Sequence, residues 1–211
     1  ENLNTSLVRY YDGGSPTALW AVRSLGINPS DGRELFLTKE GTYTFEYDTE
    51  DEVVVGNSEP KLEGVLGSTL YWKGFSFSLY FRYSLGADVF TEATFNKVEN
   101  ISLAGLKSNQ DKRALHDRWQ KPGDHAKFKG ISLTETTPIS SRFVLRENYI
   151  KAESISVGYD FESQAVQKLG IQSLRLQANT TDLFRISSIK EERGIEYPFA
   201  RSFSFSLSAM F

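Results

Sequence analysis

Between Ser202 and Ser208 a serine stands at every second position, and Phe203, Phe205 and Leu207 fill the places between. The alternation runs over residues 199–211. Phe199, Arg201, Phe203, Phe205, Leu207, Ala209 and Phe211 form one set; Ala200, Ser202, Ser204, Ser206, Ser208 and Met210 form the other. A repeat of two is the period of a β-strand, whose successive side chains point to opposite faces. A helix, with its period of 3.6, would not hold a hydroxyl at every alternate place. The segment therefore reads as a strand with one large apolar face and one small polar face.

The same pattern recurs upstream. Residues 75–84 place Phe75, Phe77, Leu79, Phe81 and Tyr83 on one face, with Ser76, Ser78, Tyr80, Arg82 and Ser84 on the other. In residues 61–72, Leu62, Leu66, Leu70 and Trp72 share a face, and the two segments meet at Lys73-Gly74, a tight-hairpin pair. Residues 149–161 set Ile155, Val157, Tyr159 and Phe161 against Ser154, Ser156, Gly158 and Asp160. Residues 173–181 set Leu174, Leu176 and Ala178 against Arg175, Gln177 and Asn179. Residues 17–25 and 3–10 are weaker strand candidates.

These strands are about ten residues long, which suits a tilted membrane-spanning strand; soluble strands have a mode of about 5–6. Tyr71, Trp72, Tyr83, Tyr149 and Tyr159 lie toward strand ends, where amphipathic rings form interfacial girdles. Connections alternate in length: 73–74 and 162–172 are short, whereas 26–60, 86–147 and 182–198 are long. Outer-membrane barrels have short periplasmic turns and longer external loops. Counting back from Phe211 as a periplasmic end puts every short turn in the periplasm and every long loop outside.

Composition agrees with this reading. No run of 18 apolar residues exists, so no transmembrane helix is expected, and a mean hydropathy of −0.37 is compatible with alternating lipid-facing and lumen-facing positions. The net charge of −3 and scattered Lys and Arg give no footprint for nucleic acid. The lack of cysteine removes disulfides, thiolate metal sites and cysteine nucleophiles. The single Met is Met210 and no signal-peptide pattern opens the chain, so a mature form, a processed product or a fragment is expected.

Several phrases occur in order: Ala21-Val22-Arg23-Ser24-Leu25-Gly26-Ile27-Asn28-Pro29 with Asp31-Gly32-Arg33-Glu34; Tyr71-Trp72-Lys73-Gly74-Phe75-Ser76-Phe77; Asp117-Arg118-Trp119 with Lys121-Pro122-Gly123-Asp124; Ser154-Ile155-Ser156-Val157-Gly158-Tyr159; and Tyr197-Pro198-Phe199-Ala200-Arg201-Ser202-Phe203. This ordered set resembles the C-terminal part of the SusC/RagA family of TonB-dependent transporters of Bacteroidetes. The resemblance covers nearly the whole chain. It implies an all-β fold: the antiparallel C-terminal strands of one transmembrane β-barrel of about 22 strands, over residues 1–211, with long extracellular loops. It also implies import of glycans or peptides across the outer membrane, with a SusD-like surface lipoprotein as lid and energy from TonB. The plug, the TonB-contacting segment and the rest of the barrel would be partners outside this chain, along with outer-membrane lipid. An open sheet edge in lipid would leave backbone groups unpaired, so pairing with further strands is expected.

No catalytic set, cofactor site or metal site is expected. In residues 96–119, Val98, Ile101, Leu106, Leu115 and Trp119 recur at roughly helical spacing and read as a short loop helix. His116 and Asp117 read as its solvated face in preference to an acid–base pair. His116 and His125 lie nine residues apart, which is not helical zinc spacing. Asp48, Glu50, Asp51 and Glu52 lack EF-hand spacing and read as a solvated acidic run. The serines of the last strand have neither a nearby histidine nor a Gly-x-Ser-x-Gly elbow. Phe90, Phe95, Trp119 and Phe128 are the candidate lid-facing or substrate-facing aromatics, with packing inside the loop as the competing reading. From residues alone two other classes stay open: a stand-alone small barrel with a structural or adhesive role, and a secreted glycan-binding β-sandwich.

Overall fold

At Lys73 and Gly74 the backbone takes φ of 47° and 84°, the left-handed pair that a two-residue type I′ hairpin turn requires. Around this turn β5 (Leu62–Trp72) and β6 (Phe75–Phe90) pair antiparallel from Trp72↔Phe75 to Leu62↔Leu85. An ideal Cβ on Gly74 would lie 2.8 Å from the Asp160 carbonyl oxygen, so this position is reserved for glycine on two counts. The computed structural model describes residues 7–107, 110–132, 134–161, 168, 170–190 and 201–211. These fall into two compact units. One holds the described residues of 1–60 and 87–146; the other holds those of 61–86, 147–190 and 198–211.

The second unit is built on a sheet of order β10-β8-β7-β6-β5. Here β7 is Val144–Phe161, β8 is Ser173–Thr181 and β10 is Ser202–Met210; the short β9 (Arg185–Ser187) pairs with β7 beside the end of β8. The β7–β8 and β8–β10 ladders keep register throughout, for example Val157↔Ala178↔Phe205 and Ser156↔Asn179↔Ser204. Because the side-chain period is two, that register lines up apolar with apolar and polar with polar across three strands.

The first unit holds a four-stranded sheet of order β3-β2-β1-β4, formed by β1 (Ala18–Ile27), β2 (Glu34–Leu37), β3 (Tyr43–Thr44) and β4 (Glu52–Asn57). Gly26 at φ 98° sits where the β1–β2 register slips. Beside this sheet, Val98, Ala114, Phe128 and Phe143 form a buried cluster against which Phe90, Phe95 and Ile101 pack. Among the described residues no helix is long and apolar enough to cross a membrane.

Several expectations change. Residues 26–60 are not a bare loop, because they supply β2, β3 and β4. The weaker strand candidate 17–25 is β1, a largely buried strand of the first unit's sheet. β6 and β7 extend beyond the expected 84 and 149, to Phe90 and from Val144. The alternation lapses there because like neighbours follow one another, Ala87 beside Gly86, Val89 beside Phe90 and Val144 beside Leu145, and Arg146 pairs with Asp88 at 3.2 Å. The single helix over 96–119 is replaced by a π-turn Thr94–Glu99, a 3₁₀ turn Gly105–Lys107 and one α-turn Arg113–His116. Asn100 ends the first of these and is held instead by Thr137, whose N–H donates to its side-chain oxygen at 2.8 Å. Residues 3–6 of the strand candidate 3–10, most of the turn 162–172, the second half of the connection 182–198 and residues 199–200 lie outside the described residues, and residues 7–10 form no strand.

Candidate functional site

The sheet of the second unit is inverted relative to a water-soluble one. In the inner strand β6, Ser76 and Ser84 are 6% and 5% exposed, while Phe75 and Phe77 on either side of Ser76 remain 50% and 38% exposed. In β7, Gly158 is buried and its neighbour Val157 is exposed. The open face also carries Leu62, Leu66, Leu70, Trp72, Leu85, Leu176, Phe203, Phe205 and Leu207. Leaving one such side chain fully in water forgoes about 1.5–3 kcal/mol; these are 38–76% exposed, so about a dozen of them forgo on the order of 10–20 kcal/mol. That is as large as the whole stability of an ordinary domain, about 5–15 kcal/mol. The face demands an apolar environment.

The opposite face is a hydrogen-bonded polar surface. Arg175 donates to Ser76 Oγ at 3.1 Å, Gln177 donates to Ser156 Oγ at 2.9 Å and to Asn179 Oδ1 at 2.8 Å, and Thr69 and Ser78 share a hydroxyl bond of 3.2 Å. Farther along the strands the alternation slips. Ser154 faces Thr181 and Lys151 faces Arg185, so three residue steps on β7 are matched by four on the other side, with Asp182 at φ 49°. This is a β-bulge. Its effect is visible in β6: Ser76 and Arg82 share one face, yet Ser76 lies against Gly158 whereas Arg82 meets Glu153, an even and an odd position of β7.

The bulge gathers charge on the polar face. Arg82 Nε lies 2.7 Å from Glu153, Lys151 lies 3.6 Å from Glu153 and 3.3 Å from Asp182, and Arg185 lies 2.7 Å from Glu147. The Arg185 guanidinium also sits 4.0 Å from the centre of the Tyr149 ring.

The first unit has a different polar centre. Arg142 Nη2 donates to Glu34 at 2.8 Å and to Glu99 at 2.9 Å, Nη1 donates to Glu99 and to the Lys127 carbonyl, and the guanidinium stacks on Phe143. Ser140 and Thr137 hydroxyls complete the two carboxylates. Burial opposes the Arg142 charge, but the bonds to Glu99 and Glu34 outweigh it and hold the guanidinium protonated more firmly than usual. Arg118, buried among the Ala114, Val98 and Lys129 carbonyls, is pushed the other way by burial. The Tyr47 hydroxyl is buried without a hydrogen-bond partner among the described residues; burial first and the nearby Glu52 charge second push it up to about 12.

The four candidate aromatics fall into this unit. Phe90 and Phe95 stack on each other and on Phe143, with centroids 5.0–6.3 Å apart, and Phe128 is buried in the same cluster. Trp119 is half-buried; its ring covers Gly32, and its indole N–H donates to the Pro29 carbonyl at 3.0 Å. Packing accounts for all four positions. Asp117 pairs with Lys127 at 3.7 Å, not with His116, which is exposed. Of the acidic run, Asp48 caps the turn Thr49–Asp51, Asp51 accepts from the Lys39 N–H and Glu52 pairs with Arg9. No metal-capable group of three or more such side chains occurs among the described residues. Sequence reasoning missed the bulge and the Glu34–Arg142–Glu99 centre. The only sequence signal for the bulge is the pair of adjacent polar residues Glu153-Ser154 inside an alternating strand.

No protein-family model matches the chain. Two curated relatives from Formosa agariphila are similar to it. TonB-dependent receptor P39 is 24% identical over 161 residues, covering 74% of this chain, and TonB-dependent receptor P3 is 24% identical over 173 residues, covering 82%. The chain spans only 15% and 16% of their lengths. Among solved structures, the RagAB peptide transporter superposes with a TM-score of 0.68 at 15% identity, over 83% of this chain and 20% of that one. The RagAB peptide importer in its open-open state gives 0.68 at 16% identity, over 92% and 22%. These likenesses bear out the antiparallel fold class and the resemblance read from the sequence. The relatives are receptors and transporters by name, in agreement with a chain that is not an enzyme.

Proposed function

We propose that this chain, a SusC/RagA-like segment of a TonB-dependent transporter, is barrel wall: its β5–β10 sheet lines part of an outer-membrane pore through which peptides or glycans are imported. The observation that carries this is the inverted burial of β6 and β7, with aromatic side chains open and serines covered. Lipid is the environment that relieves the open apolar face, and a wet lumen suits the hydroxyl and amide face. Both end strands, β5 and β10, have one unpaired edge among the described residues, and the rest of the barrel supplies the pairing they need in lipid.

On this reading residues 1–211 belong to one barrel domain, and the C-terminal strand ends at the periplasmic side. The long connections are external loops facing a SusD-like lipoprotein, while the plug and its TonB-contacting segment lie elsewhere in the protein. Phe90, Phe95 and Phe128 brace the loop unit, and Trp119 pins the turn at Pro29 and Gly32 within it. Fractionation of native cells tests the proposal. The protein is expected in the outer membrane, extractable only by detergent and running faster on gels before boiling than after. Recovery in the soluble fraction would remove the barrel reading and leave the secreted sandwich.

A further inference from the structure

Two dipeptides in this chain set a glycine after an aspartate, Asp12-Gly13 and Asp31-Gly32. Such a pair carries its own reaction. The amide nitrogen of the glycine attacks the side-chain carboxyl carbon of the aspartate and closes a five-membered succinimide ring, while the amide hydrogen and the carboxyl hydroxyl leave as water. Water then reopens the ring at either carbonyl. Opening at the main-chain carbonyl leaves an isoaspartate, whose backbone runs through the former side chain. Glycine favours the closure because it has no Cβ to obstruct the approach and its backbone dihedrals are the least restricted. The fold treats the two pairs differently.

Asp31-Gly32 is closed to this chemistry. The Gly32 N–H donates to the Asn28 carbonyl at 2.8 Å, and Gly32 is buried beneath the Trp119 ring. Both carboxylate oxygens of Asp31 accept from Arg33, at 3.1 Å from its backbone N–H and 2.8 Å from Nε. The side-chain bond to Arg33 above all holds the carboxyl below its usual range, so the neutral acid, the form that loses hydroxyl, is scarce. Asp12-Gly13 has none of these restraints. It is the centre of a turn closed by the Gly14 N–H on the Tyr11 carbonyl at 3.1 Å, with Gly13 at φ 77° as a type II turn requires. The central amide of such a turn bonds nothing within it. Asp12 and Gly13 are both exposed, and neither has a hydrogen bond or ion pair among the described residues. We propose that Asp12 is a site of spontaneous isoaspartate formation in the folded protein, and that the fold shields the chemically identical pair at Asp31. The conversion adds one main-chain atom between Tyr11 and Gly14. It thereby opens the turn that carries the Tyr11 ring onto Trp20 of β1, edge to face at 5.8 Å.

Ageing the full-length protein in detergent at neutral pH tests this. Trypsin cuts after Arg9, Arg23 and Arg33 and so places the two pairs in separate peptides, 10–23 and 24–33. Isoaspartate in each is read by methylation with an isoaspartyl methyltransferase and by electron-transfer fragmentation. In the folded protein, peptide 10–23 is expected to accumulate it about tenfold faster than 24–33, the factor set by holding one amide in a hydrogen bond. In urea, with the fold removed, the two rates should converge. Asp12→Glu, whose longer side chain would have to close a six-membered ring, should abolish the signal in 10–23. Equal rates in the folded protein overturn the proposal. So does accumulation in 10–23 only after unfolding, a difference between the peptides that persists unchanged in urea, or a signal in 10–23 that survives Asp12→Glu.

Discussion

Replacing Arg142 by alanine strands two carboxylates inside the loop unit. The Arg142 side chain is 12% exposed, and those of Glu34 and Glu99 are 3% and 0% exposed. Removing one partner of a single buried ion pair costs about 3–5 kcal/mol, because the charge left behind has lost its compensation. Here one substitution orphans two carboxylates and also frees the Lys127 carbonyl, so that range is a lower bound. At 1.4 kcal/mol per factor of ten, the opening equilibrium of the unit should rise by roughly two to four orders of magnitude. Hydrogen exchange of peptides covering residues 91–107 and 134–143 reads this directly, with the wall strands as an internal reference. Lysine at 142 should recover only part of the loss, since a point ammonium cannot fork to both carboxylates. Arg142→Met combined with Glu34→Gln and Glu99→Gln should recover most of it, because no charge is then stranded. Arg142→Ala exchange within about fivefold of the parent would refute the view that this centre ties the unit together.

Three further outcomes follow from the geometry. Phe143, 1% exposed at the centre of the aromatic cluster, should cost about 3–5 kcal/mol on truncation to alanine, read by the same exchange experiment. Gly74→Val puts a β-branched residue at φ 84° against the Asp160 carbonyl and should lower the heat-modifiable, assembled fraction sharply, whereas Lys73→Asn, which tolerates the left-handed backbone, should not. Tyr47, raised from 10.0 to about 12, stays protonated where the unfolded phenol ionises. Its contribution to stability is therefore intact below pH 10 and lost as pH rises through about 12, and ultraviolet titration should show a late phenolate that Tyr47→Phe removes.

The β5–β10 sheet was legible wherever side chains of opposite character alternate. The ladder over Ser173–Thr181 matches the sequence reading to the residue, and β5 and the last strand nearly so, since period two carries both strand and face. The reading weakened where strands leave that regime. β1 was only a weaker candidate, at 17–25, because it is buried and Ala18, Leu19, Ala21 and Val22 show no polar alternate to betray a face. β2 and β3 are two to four residues long, too short for any period to register. The loop unit was opaque for another reason. Arg142, Glu34 and Glu99 are far apart along the chain, and three charged residues in polar surroundings read as solvated until tertiary structure brings them within 3 Å. Phe90, Phe95 and Phe128 stood out as loop aromatics, but aromatic content alone does not separate an outward-facing ring from one packed on Phe143.

The central claim is that one face of the β5–β10 sheet meets lipid and the other meets water. The chain has no cysteine, so single spin labels can be placed at will along β10 in the membrane-embedded protein. Positions 203, 205 and 207 and positions 204, 206 and 208 form the two series. Relaxation by oxygen, which concentrates in lipid, should dominate at the odd positions, and relaxation by a water-soluble nickel chelate at the even ones, with a strict period of two. Equal exposure of both series to the chelate, or the opposite phase, would contradict the account.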